Sequence, residues 1–245
     1  MTTLLRRSAC WAALPLALGA SLVHAADEAP AFKFTTSVYQ LSGGGMPSGT
    51  ALDLNLRQTS DFGTLWIGWF RFPAQDTAQT RAGWDRNFEA GPVRIQPSVQ
   101  AASGGFWGGS IALETGERWY AGVGLGRTNL RPYVNLNFDP NDAWTVSGGY
   151  RWEDGRAAGL LLVGDNRQNP DERHLHLTWR EPLEGGQRLT LDLLAKRGLV
   201  NGELIHRFGV TAGYDWPRVF VRVAWDPKVN FTPQDMWRLQ GGVRF

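Results

Sequence analysis

Apolar and polar residues alternate one by one along most of this chain. Leu52, Leu54 and Leu56 alternate with Asp53, Asn55 and Arg57; Leu189, Leu191 and Leu193 with Arg188, Thr190 and Asp192; Val219, Val221, Val223 and Trp225 with Arg218, Phe220, Arg222 and Ala224. A period of two puts successive side chains on opposite faces of an extended strand. No stretch longer than one turn carries a convincing helical stripe. Glycine-, proline- and aspartate-rich signals separate the alternating runs, among them SGGGMPSG, SDFG, EAGP, TGER, DPND, EDGR, EGGQ and DPKVNFTPQD. Glycine supplies positive φ there, proline presets φ, and Asp and Asn bond their own backbone. No linker or shift in composition interrupts the series, so it reads as one all-β unit.

An all-β chain closes its core as a soluble sandwich or as a barrel. Here the polar face is rich in arginine and glycine, too polar for a soluble core, while the opposite face is rich in Leu, Val and Trp. That inversion is expected of a transmembrane antiparallel up-and-down β-barrel, apolar towards lipid and polar towards the lumen. Trp84, Trp119, Trp144, Trp152, Trp179, Trp216, Trp225 and Trp237 fall near the ends of the apolar faces, and amphipathic rings suit the lipid–water interface. No remaining run approaches the roughly 18 apolar residues of a membrane helix. A secreted β-sandwich is the competing fold.

The first residues supply a setting. Arg6 and Arg7 precede an apolar run and the small-residue ending Val23-His24-Ala25, the layout of a cleaved secretory signal peptide. Residues 1–25 are therefore expected to be the signal and 26–245 the barrel. Cleavage would remove Arg6 and Arg7, taking the formal net charge from +2 to 0, and with them Cys10, the single cysteine. The expected location is the outer membrane of a Gram-negative bacterium, with outer-membrane lipid and the barrel-assembly machinery as partners.

A first count gives about fifteen alternating runs, one being Arg131, Tyr133, Asn135 and Asn137 against Pro132, Val134, Leu136 and Phe138. Single-chain bacterial barrels use an even number. The weakest run is AAGLLLVGD, Ala157 to Asp165, which is continuously apolar. Assigning it to a long outer loop leaves about fourteen strands, with twelve and sixteen open. SDFG, EAGP, TGER, DPND, PLEGG and DWPR then fall at the end that carries both termini. SGGGMPSG, 153–173 and DPKVNFTPQD fall at the other, and 153–173 is the candidate plug of the bore.

Basic residues outnumber acidic ones on the inward face. The candidate pore-lining residues are Arg57, Arg94, Arg118, Arg131, Arg151, Arg180, Arg188, Arg207, Arg222 and Arg238. Inward acids include Asp53, Asp85, Glu89, Glu114, Glu153, Asp192, Glu203 and Asp215. A cationic lumen concentrates anions and repels cations, although arginines also pair with lumen acids and stiffen a barrel. Glycines on that face either leave a wider bore or make room for bulky neighbours. His174 and His176 share the inward face with no third ligand at metal-site spacing, and no cofactor is called for. His206 falls on the outward face between Leu204 and Phe208, near the outer end of its strand, with no serine or acid beside it on that face. There is no catalytic or phosphate-loop motif and none for nucleic acid.

Two stretches carry a resemblance. NLRPYVNLNFDPNDAWTVSGGYRW, residues 129–152, and GELIHRFGVTAGYDWPRVFVRVAWD with the closing WRLQGGVRF are similar in layout to the small oligogalacturonate-specific and sialic-acid-specific porins, over about the second half of the chain. The resemblance implies a twelve-stranded barrel with arginine tracks for acidic sugars, and it makes Arg131 and Arg151 pore-lining. The expectation is a passive, non-enzymatic channel for small anionic solutes such as acidic oligosaccharides. A non-conducting structural or assembly barrel, serving polysaccharide export or as a scaffold, is the alternative; a lipid-modifying outer-membrane enzyme is a third. The last strand ends in Phe245, which is expected to be an assembly signal and to close the barrel against residues 32–41.

Overall fold

A computed structural model describes residues 30–134, 142–165, 167 and 171–245; the proposed signal peptide lies outside them. The alternating runs form antiparallel strands β1 (Phe32–Ser42), β2 (Gly49–Ser60), β3 (Gly63–Phe72), β4 (Thr77–Asp85), β5 (Phe88–Ala90), β6 (Val93–Ala102), β7 (Phe106–Thr115) and β8 (Trp119–Thr128). The series continues with β9 (Ala143–Arg151), β10 (Ala157–Asp165), β11 (Arg173–Pro182), β12 (Arg188–Val200), β13 (Glu203–Asp215), β14 (Val219–Asp226) and β15 (Asp235–Arg244). Each pairs with its sequence neighbours except β4 and β5, which do not pair with each other, and β1 pairs with β15 from Lys33↔Arg244 to Ser42↔Asp235. Backbone bonds between Phe32 and Phe245 extend that seam (2.8 and 3.0 Å). Closure joins the two ends of the sheet, so neither the first nor the last strand is left at an open edge.

β4 and β5 are two pieces of one stave, because both pair with β6. The ladder lapses at Arg86 and Asn87, opposite Pro97 and Gln96. Pro97 has no N–H to donate; its carbonyl still accepts from the Arg86 N–H (3.3 Å). The wall is therefore a closed barrel of 14 strands. The twelve implied by the resemblance are not observed.

The total matches the expectation through two errors that cancel. Residues 157–165 are not an outer loop but strand β10, paired along its length with β9 and β11. Conversely, the described part of the alternation at 131–138, residues 131–134, does not make a strand. Leu130 is left-handed (φ 61°), Pro132 lacks a ladder donor, and residues 129–134 turn into the barrel; 135–141 lie outside the described residues. Two turns consequently change ends. Residues 153–156 form a tight turn at the end that carries the termini, so the candidate plug dissolves into that turn, β10 and the 166–172 connection. The connection containing DPND joins β8 to β9 at the opposite, loop-bearing end.

Burial is inverted. Ile67, Val99, Ile111, Leu193, Val223 and Leu239 are exposed, whereas Ser37, Asp53, Arg81, Gln100, His174, Lys196 and Asp215 are buried. Register makes the exposed set one continuous outer face, for example Val38↔Leu52, Val38↔Leu239 and Val223↔Leu239. Aromatic rings border it at both ends: Trp119, Tyr150, Trp152 and Trp179 in a chain 4.7–5.3 Å apart near the termini, and Trp225 beside Trp237 (6.3 Å) near the loops. This is the outside of a lipid-spanning barrel.

Candidate functional site: the lumen

Two loops turn inward at the loop-bearing end. In the first, Tyr133 stacks on Phe106 (4.3 Å) and donates to Gln100 Oε1 (3.2 Å). The Val134 N–H donates to Gln79 Oε1 (2.8 Å), and the Val134 carbonyl accepts from Arg81 (3.3 Å). Arg81 also pairs with Asp53, both buried. The loop's base is tied by Thr128, whose hydroxyl donates to Asp142 Oδ2 (2.5 Å). In the second loop, the short 3-10 turn Val229–Phe231 drops Val229 into a cluster with Tyr39, Leu41, Ala51, Phe70, Phe72 and Met236, against which Val134 packs. Phe231 rests on the inward face of β12 and meets His174 (4.9 Å). Beneath it the buried Lys196–Asp226 pair is satisfied further by the Lys228 carbonyl (2.9 Å). Buried charges paired in this way hold the loops in one position.

The half of the lumen nearer the termini is lined by charges instead. Arg151 lies over Tyr120 (3.9 Å) and bonds Glu114 (2.7 Å), which also accepts from Arg94 (3.2 Å); Arg94 in turn bonds Glu89 (3.0 Å). Across the barrel, Phe220 carries three cations around its ring: Lys33 at 4.7 Å, Arg244 at 5.0 Å and Arg222 at 5.1 Å. One buried carboxylate serves this group. Asp215 pairs with Arg244, and lies 3.7 Å from Arg188 and 4.0 Å from Arg222. Three arginines therefore share one carboxylate, with the Lys33 amine beside them on the Phe220 ring, and basic groups outnumber acidic ones on this part of the lumen wall. Arginine presents planar pairs of donors to such an opening, suited to carboxylate, sulfate or phosphate.

Glycine explains how bulky groups fit this wall. A Cβ on Gly242 would stand 2.5 Å from the Phe220 ring and 2.4 Å from the Phe34 carbonyl; on Gly149 or Gly159 it would stand 2.6 Å from the Tyr120 hydroxyl. The glycines make room for rings that carry arginines rather than widening the bore.

Strand parity places Arg57, Arg94, Arg151, Arg180, Arg188, Arg207, Arg222 and Arg238 on the inward face. Arg57 lies 5.9 Å from the Trp66 ring and bonds Asn55 (3.2 Å). Arg118 and Arg131 stand off the wall. Arg118 is in the 116–118 turn, exposed and paired with Glu153; Arg131 is exposed in the inward loop. Lys33 was absent from the expected lining, although Phe34 and Val38 on the outward face already put it inside. His176 bonds Asp192 (2.9 Å), and among the described residues no group of three His, Cys, Asp or Glu could hold a metal.

No model of a known protein family matches the chain, and no curated protein matches it. Solved structures do. The outer membrane protein Omp33 of Acinetobacter baumannii aligns over 89% of this chain and 99% of its own, with a TM-score of 0.56 at 10% identity. The shared fold is that of an outer-membrane barrel. A substituted porin of Rhodopseudomonas blastica (TM-score 0.48, 10% identity) and the KdgM porin, solved with disordered oligogalacturonate (0.46, 8% identity), each align over 87% of this chain and 99% of their own.

Proposed function

We propose that this barrel is a passive outer-membrane channel that prefers small anions, with acidic oligosaccharides as one substrate class. The cluster of Arg188, Arg222 and Arg244 around the carboxylate of Asp215, with Lys33 on the adjoining Phe220 ring, carries this reading. Fixed positive charge in a low-dielectric wall raises local anion concentration by about 10–10³-fold, with no covalent chemistry. The apolar outer belt and the Omp33-like fold support insertion in the outer membrane, and the proposed signal peptide supports export to it. Acidic oligosaccharides are a fitting substrate class because arginine's planar pairs of donors match carboxylates. Reversal potentials of the refolded protein in planar bilayers under a salt gradient test the proposal. The expected sign is that of anion preference, and Arg222→Glu is expected to lower the anion-to-cation permeability ratio severalfold. Unchanged selectivity in that variant would sink it.

The loops packed against Tyr39, Phe70 and Phe106 favour a second reading, a structural barrel held shut at one end. Stable wild-type openings exclude it. Silence in the wild type with openings in Tyr133→Ala would favour it.

A further inference from the structure

The outer wall carries a feature the channel does not use. Trp144, Gly164, Arg173, Arg197 and His206 are consecutive register partners across β9 to β13. They share the outward parity of Leu162, Leu175 and Phe208, and they lie towards the loop-bearing end. Trp144 covers Gly164, where a Cβ would meet the indole at 2.5 Å. Arg173 stands 5.5 Å from the same ring, and its Nη1 donates to the Glu172 carbonyl (2.6 Å) and the Asp165 carbonyl (3.4 Å), which leaves its other guanidinium nitrogens to a ligand. Arg197 and His206 are exposed. Among the described residues no carboxylate forms an ion pair with Arg173 or Arg197. The acid on the outward face of these strands, Glu181, lies at the other end, where Trp179 donates to it (3.0 Å). Below the row is a cleft of about 190 Å³ floored by Leu162, Leu175, Ala195 and Phe208.

Unpaired positive charge on a lipid-facing wall is tolerated near the interface and not at mid-bilayer. A row of basic groups directly above an apolar cleft is complementary to a molecule with an anionic head and a hydrocarbon tail. We infer that Arg173, Arg197 and His206 form a binding site for a phosphorylated lipid of the leaflet at the loop-bearing end, with the phosphate on the basic row and an acyl chain over Leu162, Leu175 and Phe208. The inference rests on the membrane reading above and is independent of conduction.

The test uses the full-length protein in nonionic detergent. Binding of diphosphorylated lipid A, dephosphorylated lipid A and inorganic phosphate is followed by native mass spectrometry. Saturable binding of the phosphorylated lipid is expected. Arg197→Gln should weaken it by about fivefold and Arg197→Gln with Arg173→Gln by more than tenfold, since each Lys or Arg at an anionic surface contributes about fivefold. Arg197→Lys should retain most of the affinity, and bilayer conductance should be unchanged in all of them. Equal binding of the dephosphorylated lipid, inorganic phosphate competing at lipid-like affinity, or undiminished binding by the double variant would overturn the site. Conductance reports the channel separately.

Discussion

Phe220 shows how one residue organises a charged lumen. Its ring is seated on Gly242 and meets Lys33, Arg222 and Arg244. Cation–ring contacts contribute about 0.5–2 kcal/mol each, depending on desolvation, so the ring lets like charges crowd around a single carboxylate. Gly242→Val should therefore fail twice, against the ring and against the Phe34 carbonyl; the expected loss is the heat-modifiable folded band on electrophoresis. Asp215→Asn leaves the arginines uncompensated. It should cost on the order of 1–3 kcal/mol, measured by urea unfolding in detergent, and should raise anion preference in bilayers. These residues were half legible. Alternation put Phe220, Arg222 and Asp215 on one face, but that Arg222 and Arg244 share both the ring and the carboxylate depends on which strands meet across the seam.

Elements were legible where alternation met lipid on one side and lumen on the other. β10 escaped because its inward side, Ala157, Gly159 and Leu161, is nearly as apolar as its outward side. Gly159 makes room for the Tyr120 hydroxyl and Leu161 packs on the buried Val163 and Ala143, so the polar half of the pattern disappears. Residues 129–134 erred the other way: Pro132 and Val134 alternate with Arg131 and Tyr133, yet Tyr133 and Val134 pack together against Phe106, Gln79 and Arg81 inside the barrel. Periodicity reports burial, and a loop folded into a lumen is buried too. Tyr133→Ala should loosen this loop, raising proteolytic cleavage within 129–142 while the barrel still assembles. At the closing strand, Phe245 exchanges two backbone bonds with Phe32 and stacks on its ring (5.6 Å). We propose that it also serves as the assembly signal; deleting it should reduce the membrane-embedded protein several-fold while single-channel conductance of the remainder is kept. Normal membrane levels would argue against the role.

For the whole molecule, the deciding quantity is the imbalance of charge in a closed wall. The chain beyond the proposed signal is formally neutral, so any anion preference arises from where charges sit and not from how many there are. Such a preference is screened. With a Debye length near 10 Å at 0.1 M and 3 Å at 1 M, the permeability ratio is expected to approach that of free diffusion in molar salt. Selectivity that persisted there would point to direct site binding instead.

Sequence by itself determined the class of fold, the inside and the outside of nearly every strand, and the even parity that returns the last residue to the first. It could do so because a two-residue period is local and lipid imposes one rule on every stave. Tertiary structure alone decided which alternating runs are wall and which are loops turned inward, and which cations meet at Phe220 and Asp215. It also decided that Arg173, Arg197 and His206 fall in one row. Those outcomes depend on register between strands and on what fills the lumen, which are long-range contacts that no local pattern encodes.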